Sequence, residues 1–271
     1  MGKKYGITPE VDFNLGSRFN RILQAAAEQT GRGAVVLVDE YDKPLLDVLE
    51  KDPELLEQNR EILKSFYSVF KQADASLRFV FLTGVTKTLQ SSAFGGFNQV
   101  LDISMTNKFE ALCGFTEEEV FKYFAKPIRG MAVIEGCREE EIRQRLKQHY
   151  DGYHFSENLT DIYNPFSVLN ALDSQKISDY WITSGIPLYL IRLINNFHGD
   201  IDELINKYYL PNEFINYKAD VEYPLPMIYQ SGYLTIKDYD KEPNLFLLDF
   251  PNNEVKNSFL AMVTTNYSTS A

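Results

Sequence analysis

The run Ala34-Val35-Val36-Leu37-Val38-Asp39-Glu40 decides how the first hundred residues are read. Five consecutive apolar residues, three of them valine, show no alternation and stop abruptly at two acids. A strand buried on both faces reads this way, which points to a parallel sheet. Upstream, Ile22, Leu23, Ala26 and Ala27 share one helical face within Ser17 to Thr30, and Gly31 and Gly33 end that helix. Downstream, Asp52 followed by Pro53 gives an N-cap and a first-turn proline. The stripe Leu55, Leu56, Ile62, Leu63, Phe66, Tyr67, Phe70 then predicts a helix of about five turns. A second buried strand, Leu77-Arg78-Phe79-Val80-Phe81-Leu82, ends in Thr83-Gly84, so strand, helix and strand make a βαβ unit. Val100-Leu101-Asp102-Ile103-Ser104 is a third short strand candidate after a Gly95-Gly96 turn.

Open parallel sheets bind ligands outside the carboxyl ends of their strands, and Asp39, Glu40 and Thr83 all emerge there. A carboxylate at that edge can hold Mg²⁺ through water, and its neighbour can orient or deprotonate a hydrolytic water. Phosphoryl transfer asks for this division of labour. The strand end is the Walker B pattern of a P-loop NTPase, with Asp39 as the metal residue and Glu40 as the catalytic carboxylate. Thr83 places a hydroxyl at the same edge, where a sensor of the γ-phosphate or of the attacking water belongs.

The pattern changes after Lys108. Thr116-Glu117-Glu118-Glu119 is a capping box ahead of Val120, Phe121 and Phe124. Glu139 to Glu141 open a helix carrying Ile142, Leu146 and Tyr150, with basic residues toward its end as the helix dipole favours. Asn164-Pro165 caps a third helix, and Pro187 to Asn195 predicts a fourth. From about residue 201 a helix around Leu225 to Tyr229 precedes two strands, Tyr233-Leu234-Thr235-Ile236 and Leu245-Phe246-Leu247-Leu248. The turn between them contains Lys241-Glu242-Pro243-Asn244, the outline of a winged-helix-like module. The expected domains are therefore a partial α/β core over 1–110, a helical lid over 111–200 and a winged-helix-like α+β tail over 201–271.

Composition narrows the classes. With 44% hydrophobic and 24% charged residues, and 15 Gly plus 11 Pro in 271 residues, the chain is globular rather than disordered or collagen-like. Its 27 basic against 38 acidic residues give a net charge of −11, which argues against a broad nucleic-acid-coating surface. Cys113 and Cys137 are too few for a disulfide framework and lack zinc-ligand spacing, so they read as ordinary thiols. No apolar run reaches membrane-spanning length and the first residues carry no apolar leader, so the chain reads as soluble and cytoplasmic.

The sequence resembles the AAA-ATPase-like family, whose members often carry a C-terminal PD-(D/E)XK nuclease-like domain. The matching strings begin with Val38-Asp39-Glu40-Tyr41-Asp42-Lys43-Pro44, Phe79-Val80-Phe81-Leu82-Thr83-Gly84-Val85-Thr86-Lys87 and Leu101-Asp102-Ile103-Ser104. They continue through Cys113-Gly114-Phe115-Thr116-Glu117-Glu118-Glu119, Tyr150-Asp151-Gly152-Tyr153 and Tyr163-Asn164-Pro165-Phe166-Ser167. Tyr180-Trp181, Ser184-Gly185-Ile186-Pro187 and Gln230-Ser231-Gly232-Tyr233-Leu234 complete the series, which spans roughly residues 6 to 260. The resemblance implies a prokaryotic P-loop NTPase fold of class α/β with a helical lid and a winged-helix-like end. It also implies ATP and Mg²⁺ as cofactors, and a nuclease-like domain as the regulated partner. Two departures accompany it. No G-x-x-x-x-G-K-[ST] occurs in these residues, so the backbone cradle and lysine that grip phosphates are not encoded here. The nuclease half is not seen either, and Asn266 to Ala271 reads as an unstructured stop, so the core reads as truncated.

Other residues carry plainer readings. His149 and His154, flanking Asp151-Gly152-Tyr153, read as packing and capping groups rather than a base or metal pair. Asp42, Asp47, Glu50, Asp52 and Glu54 read as a solvated approach to a helix, with Asp42 close enough to influence Glu40. Asp249 with Glu254-Val255-Lys256 imitates a nuclease D…E-x-K motif, but Pro251-Asn252-Asn253 makes a loop into a helix. The 17 Tyr and 19 Phe read as core and interface rather than a base-stacking platform. Arg21, Arg78, Arg129 and Arg192 are all candidate arginine fingers, and nothing in the sequence chooses among them. Two further functions stay open: a protein-interaction module left by truncation of such an ATPase, and a DNA-associated winged-helix module. Ten acids against four bases in 201–254 count against DNA contact by that face.

Overall fold

In the computed structural model of the chain, the described residues are 2–7, 14–49, 51–87, 100–181, 188–197, 199–216 and 223–269. The Gly95-Gly96 turn, Glu50 and the Ser184-Gly185-Ile186-Pro187 string lie outside them. The chain divides into two compact units, Met1–Leu101 and Asp102–Ala271. The helical middle and the C-terminal α+β segment therefore share one unit.

In the first unit, α1 (Leu15–Thr30) is capped by Asn14, whose side chain accepts from the Ser17 amide at 2.8 Å. Gly31 closes it in the left-handed conformation. β1 (Ala34–Val38) leads into a one-turn helix, α2 (Lys43–Leu46), then α3 (Pro53–Tyr67) and α4 (Val69–Gln72). The expected long helix thus breaks at Ser68, although Asp52 caps its start through the Leu55 amide as its sequence requires. β2 (Leu77–Leu82) returns to pair with β1 in parallel, with Val36 opposite Val80 and Val38 opposite Leu82.

The burial of β1 corrects one expectation. Val36, Val38, Leu77, Val80 and Leu82 pack on Leu45, Tyr67 and Phe70, and Phe19 and Phe66 stack at 4.9 Å beneath them. On the opposite face Val35, Leu37 and Phe79 are 57%, 70% and 53% exposed. The described sheet has two strands with helices on one side, so β1 alternates in burial despite its uniformly apolar sequence.

The second unit begins irregularly. Residues 100–104 do not form the expected strand, because the Asp102 side chain accepts from both the Ser104 amide (2.9 Å) and the Ser104 hydroxyl (2.7 Å). That local turn competes with sheet pairing for the same backbone donor. β3 (Phe115–Thr116) pairs antiparallel with β4 (Ile162–Tyr163). Between them run α5 (Glu117–Tyr123), α6 (Ala125–Glu135) and α7 (Glu139–Tyr150), and α8 (Pro165–Ser174) follows. The capping box forms: Glu119 accepts from the Thr116 amide and its own amide donates to the Thr116 hydroxyl. Ile142, Leu146 and Tyr150, one turn apart on α7, are fully buried with Val120, Ile128, Met131 and Val168.

α9 (Leu188–Asn196) precedes β5 (Lys207–Tyr209), α10 (Pro211–Phe214) and α11 (Leu225–Gln230). β6 (Thr235–Asp240) and β7 (Leu245–Asp249) form a hairpin in a sheet of order β5-β7-β6. α12 (Asn253–Thr269) closes the unit and continues past the stop expected at Asn266. Helix α11 thus precedes the β6–β7 hairpin, and β5 adds a third strand to it. Among the described residues no helix is long and apolar enough to cross a membrane.

Candidate functional site

The parallel register sets the site. Because Val38 lies opposite Leu82, Asp39 and Thr83 leave the sheet side by side. The Thr83 amide donates to the Val38 carbonyl at 2.8 Å, and the Tyr41 amide returns to the Thr83 carbonyl at 2.9 Å. The Thr83 hydroxyl donates to Asp39 Oδ1 at 2.5 Å. Two of the three sequence-derived site residues are thereby brought together. This contact is solvent-exposed, so it orients the groups more than it stabilises the fold.

Glu40 follows in a left-handed backbone conformation, with φ of 51°. A non-glycine residue there carries strain on the order of 1–2 kcal/mol. Its side chain is 59% exposed and lies 3.8 Å from the Lys43 ammonium, which also faces Asp47 at 3.6 Å. Pairs this exposed contribute little to stability. Glu40 is therefore a solvent-facing carboxylate beside the strand edge, leaned toward a lysine that it shares.

Asp42 corrects the reading of the acidic run as solvated. It is fully buried, and its carboxylate accepts from the Val85 amide (3.2 Å), the Thr86 amide (2.6 Å) and the Thr86 hydroxyl (2.5 Å). Tyr41 donates its phenol to the Thr86 carbonyl, and Tyr67 reaches the Tyr41 carbonyl at 3.4 Å. Burial, reinforced by the neighbouring Asp42 charge, pushes the Tyr67 phenol up to about 12. Gly84 lies in this knot with no room for a side chain: a β-carbon there would lie 2.5 Å from the Tyr41 ring and 2.7 Å from Asp42 Oδ1.

Sequence reasoning passed over Asp42, Thr86 and Gly84, although a signal existed. Asp39 and Thr83 are each one residue past the paired strand ends, and Asp42 and Thr86 are each four past them. Equal offsets beyond a parallel pair place side chains in reach of one another. Of the other acids in that run, Asp47 is exposed and Asp52 is the helix cap already described. The two histidines take structural partners: His149 meets Asp179 at 2.7 Å, and His154 bridges the Ile236 carbonyl (2.6 Å) and Asp161 (2.7 Å). Arg129 pairs with Glu139 at 2.9 Å, and Glu254 of the nuclease look-alike accepts from the Tyr180 and Trp181 amides.

For a cation the edge offers hard oxygen donors, two carboxylates and a hydroxyl, the chemistry that magnesium takes together with water. Among the described residues no group of three or more His, Cys, Asp or Glu could hold a metal ion.

Comparison with known proteins adds three findings. The chain is 33% identical over 257 residues to a protein of Azotobacter chroococcum mcd 1 named "Uncharacterized protein in vnfD 5'region". That match covers 93% of this chain and 46% of the relative, so the chain spans about half the length of the curated relative it matches. No solved structure matches the chain. Residues 2–94, which contain the whole strand edge just described, match the family described as Predicted AAA-ATPase.

Proposed function

We propose that this chain supplies the metal-and-water side of a Mg²⁺-dependent ATP-hydrolysing switch. Asp39 is the carboxylate that holds Mg²⁺ through water, Glu40 the carboxylate that orients and deprotonates the attacking water, and Thr83 the sensor hydroxyl beside them. Bound magnesium would supply neutralisation of charge on the phosphate oxygens. The observation that carries the reading is the Thr83–Asp39 hydrogen bond across the carboxyl ends of two paired parallel strands. The match of residues 2–94 to the family described as Predicted AAA-ATPase supports nucleotide chemistry in general. Because no G-x-x-x-x-G-K-[ST] occurs in these residues, the reading gives this chain only part of the phosphate grip. The switch's output is a nuclease-like domain or another protein partner.

Calorimetric titration of Mg·ATP tests this. Asp39→Asn weakens binding by about tenfold or more, while Glu40→Gln keeps binding and stops hydrolysis. Binding indifferent to Asp39→Asn overturns the metal assignment. No binding at all favours the second reading, a protein-interaction module, which the exposed apolar face of Val35, Leu37 and Phe79 supports. A DNA-associated role for the C-terminal sheet is the weaker alternative, given ten acids against four bases in 201–254.

A further inference from the structure

Asp151 ends α7 inside the protein. It is 1% exposed, and neither carboxylate oxygen receives an aligned hydrogen bond. The nearest cation, Lys147 Nζ, is 3.9 Å away and already pairs at 3.2 Å with both Glu117 and Asp161. His154 also holds Asp161, at 2.7 Å. From the sheet side, the Lys237 ammonium donates to the Gly152 and Pro251 carbonyls at 2.8 Å each, not to the carboxylate. Tyr163, on β4, buries a hydroxyl that likewise lacks a partner. An ionised carboxylate here is desolvated and faces two further acids, with the shared Lys147 and, from the sheet side, the Lys237 ammonium against them.

The segment around it joins α7 to the C-terminal sheet. Asn252 donates to the Asp151 carbonyl at 2.9 Å, and His154 and Thr235 exchange two hydrogen bonds at 2.8 and 2.9 Å. Gly152 has φ of 88°, and a β-carbon there would lie 2.5 Å from the Pro251 carbonyl oxygen. The joint is therefore tight, and a charge inside it has no room to gather water without opening it.

We propose that Asp151 is a proton-operated clasp: a proton on its buried carboxyl keeps the end of α7 seated on the C-terminal sheet, and loss of that proton loosens the joint. Consistent with that geometry, burial is the main cause that raises Asp151 from 3.8 to about 7. Asp161 and Glu117 add to the rise, while the Gly152 amide and Lys147 oppose it. The native carboxyl thus keeps its proton between 3.8 and about 7, where an opened one has lost it. The opened state gains on the closed one as pH rises through that window, and the gain levels off above it.

Hydrogen exchange on the whole chain, corrected for the intrinsic pH dependence of exchange, tests the clasp at the amides of 151–154 and 235–237. From about pH 5 to pH 8 the wild-type opening constant rises by about tenfold or more, and Asp151→Asn reduces that rise to less than about twofold. Lys147→Met, which removes the cation 3.9 Å from the carboxylate, moves the midpoint to higher pH. His154→Gln leaves the pH dependence in place. A pH-independent wild type, an unmoved midpoint in Lys147→Met, or loss of the dependence in His154→Gln overturns the proposal, whether or not Asp151→Asn folds. Persistence of the full rise in a folded Asp151→Asn does so too.

Discussion

Replacing Asp42 by alanine strips the carboxylate from two backbone amides, the buried one of Thr86 and the part-buried one of Val85. Each orphaned donor costs about 1–3 kcal/mol. Relief of the buried carboxylate's own desolvation returns part of that sum. The Thr86 hydroxyl can turn to another acceptor and is left out of the reckoning. The net expectation is a loss of about 3 kcal/mol, a large share of the roughly 5–15 kcal/mol that holds a typical domain together. Asp42→Asn keeps one acceptor oxygen and sets an NH₂ against donors, so its cost is intermediate, about 1–2 kcal/mol. Urea unfolding of the whole chain is the assay. The single tryptophan, Trp181, belongs to the other compact unit, so backbone circular dichroism and hydrogen exchange at 83–87 must report the loss. Asp42→Ala within about 0.5 kcal/mol of wild type refutes the claim that the carboxylate holds the loop.

Two further outcomes follow from the same reasoning. Gly84→Ala drives a methyl to 2.5 Å from the Tyr41 ring, so it lowers stability by about 1–3 kcal/mol in the same urea assay, and Tyr41→Leu in that background restores part of it. Glu254 is buried and accepts from the Tyr180 and Trp181 amides at 2.5 and 2.8 Å, while Trp181 packs on Tyr233 at 4.6 Å between rings. Glu254→Ala therefore costs about 2–4 kcal/mol and shifts Trp181 emission to the red, whereas unchanged emission counts against that anchoring role.

Much of the local structure was legible because its causes are local. Asn14 was missed as the cap of α1, but Asp52, the Thr116–Glu119 box and the spacing of Ile142, Leu146 and Tyr150 each fix an element within one or two turns of chain. Coverage of a strand face is a different kind of fact. Val35 and Leu37 are as apolar as Val36 and Val38, and only the helices on one side make them differ. Residues 100–104 failed as a strand because the Asp102 side chain captures the Ser104 amide, an option that hydropathy cannot register. At the candidate site, Asp39, Glu40 and Thr83 could be read from the strand ends. The burial of Asp42 depends on a partner 44 residues away, visible only once the two strands are set in register.

That register makes the loop edge a gauge of length. The rungs Asp39–Thr83 and Asp42–Thr86 join two segments of equal count, so changing one rung's chemistry leaves the other in step. Adding or deleting a single residue in 39–42 or in 83–86 puts the second rung out of step and turns its side chains away from each other. The edge should therefore accept substitution far more readily than any change in spacing. A library of point variants and one-residue insertions, scored for folding, would separate those two tolerances.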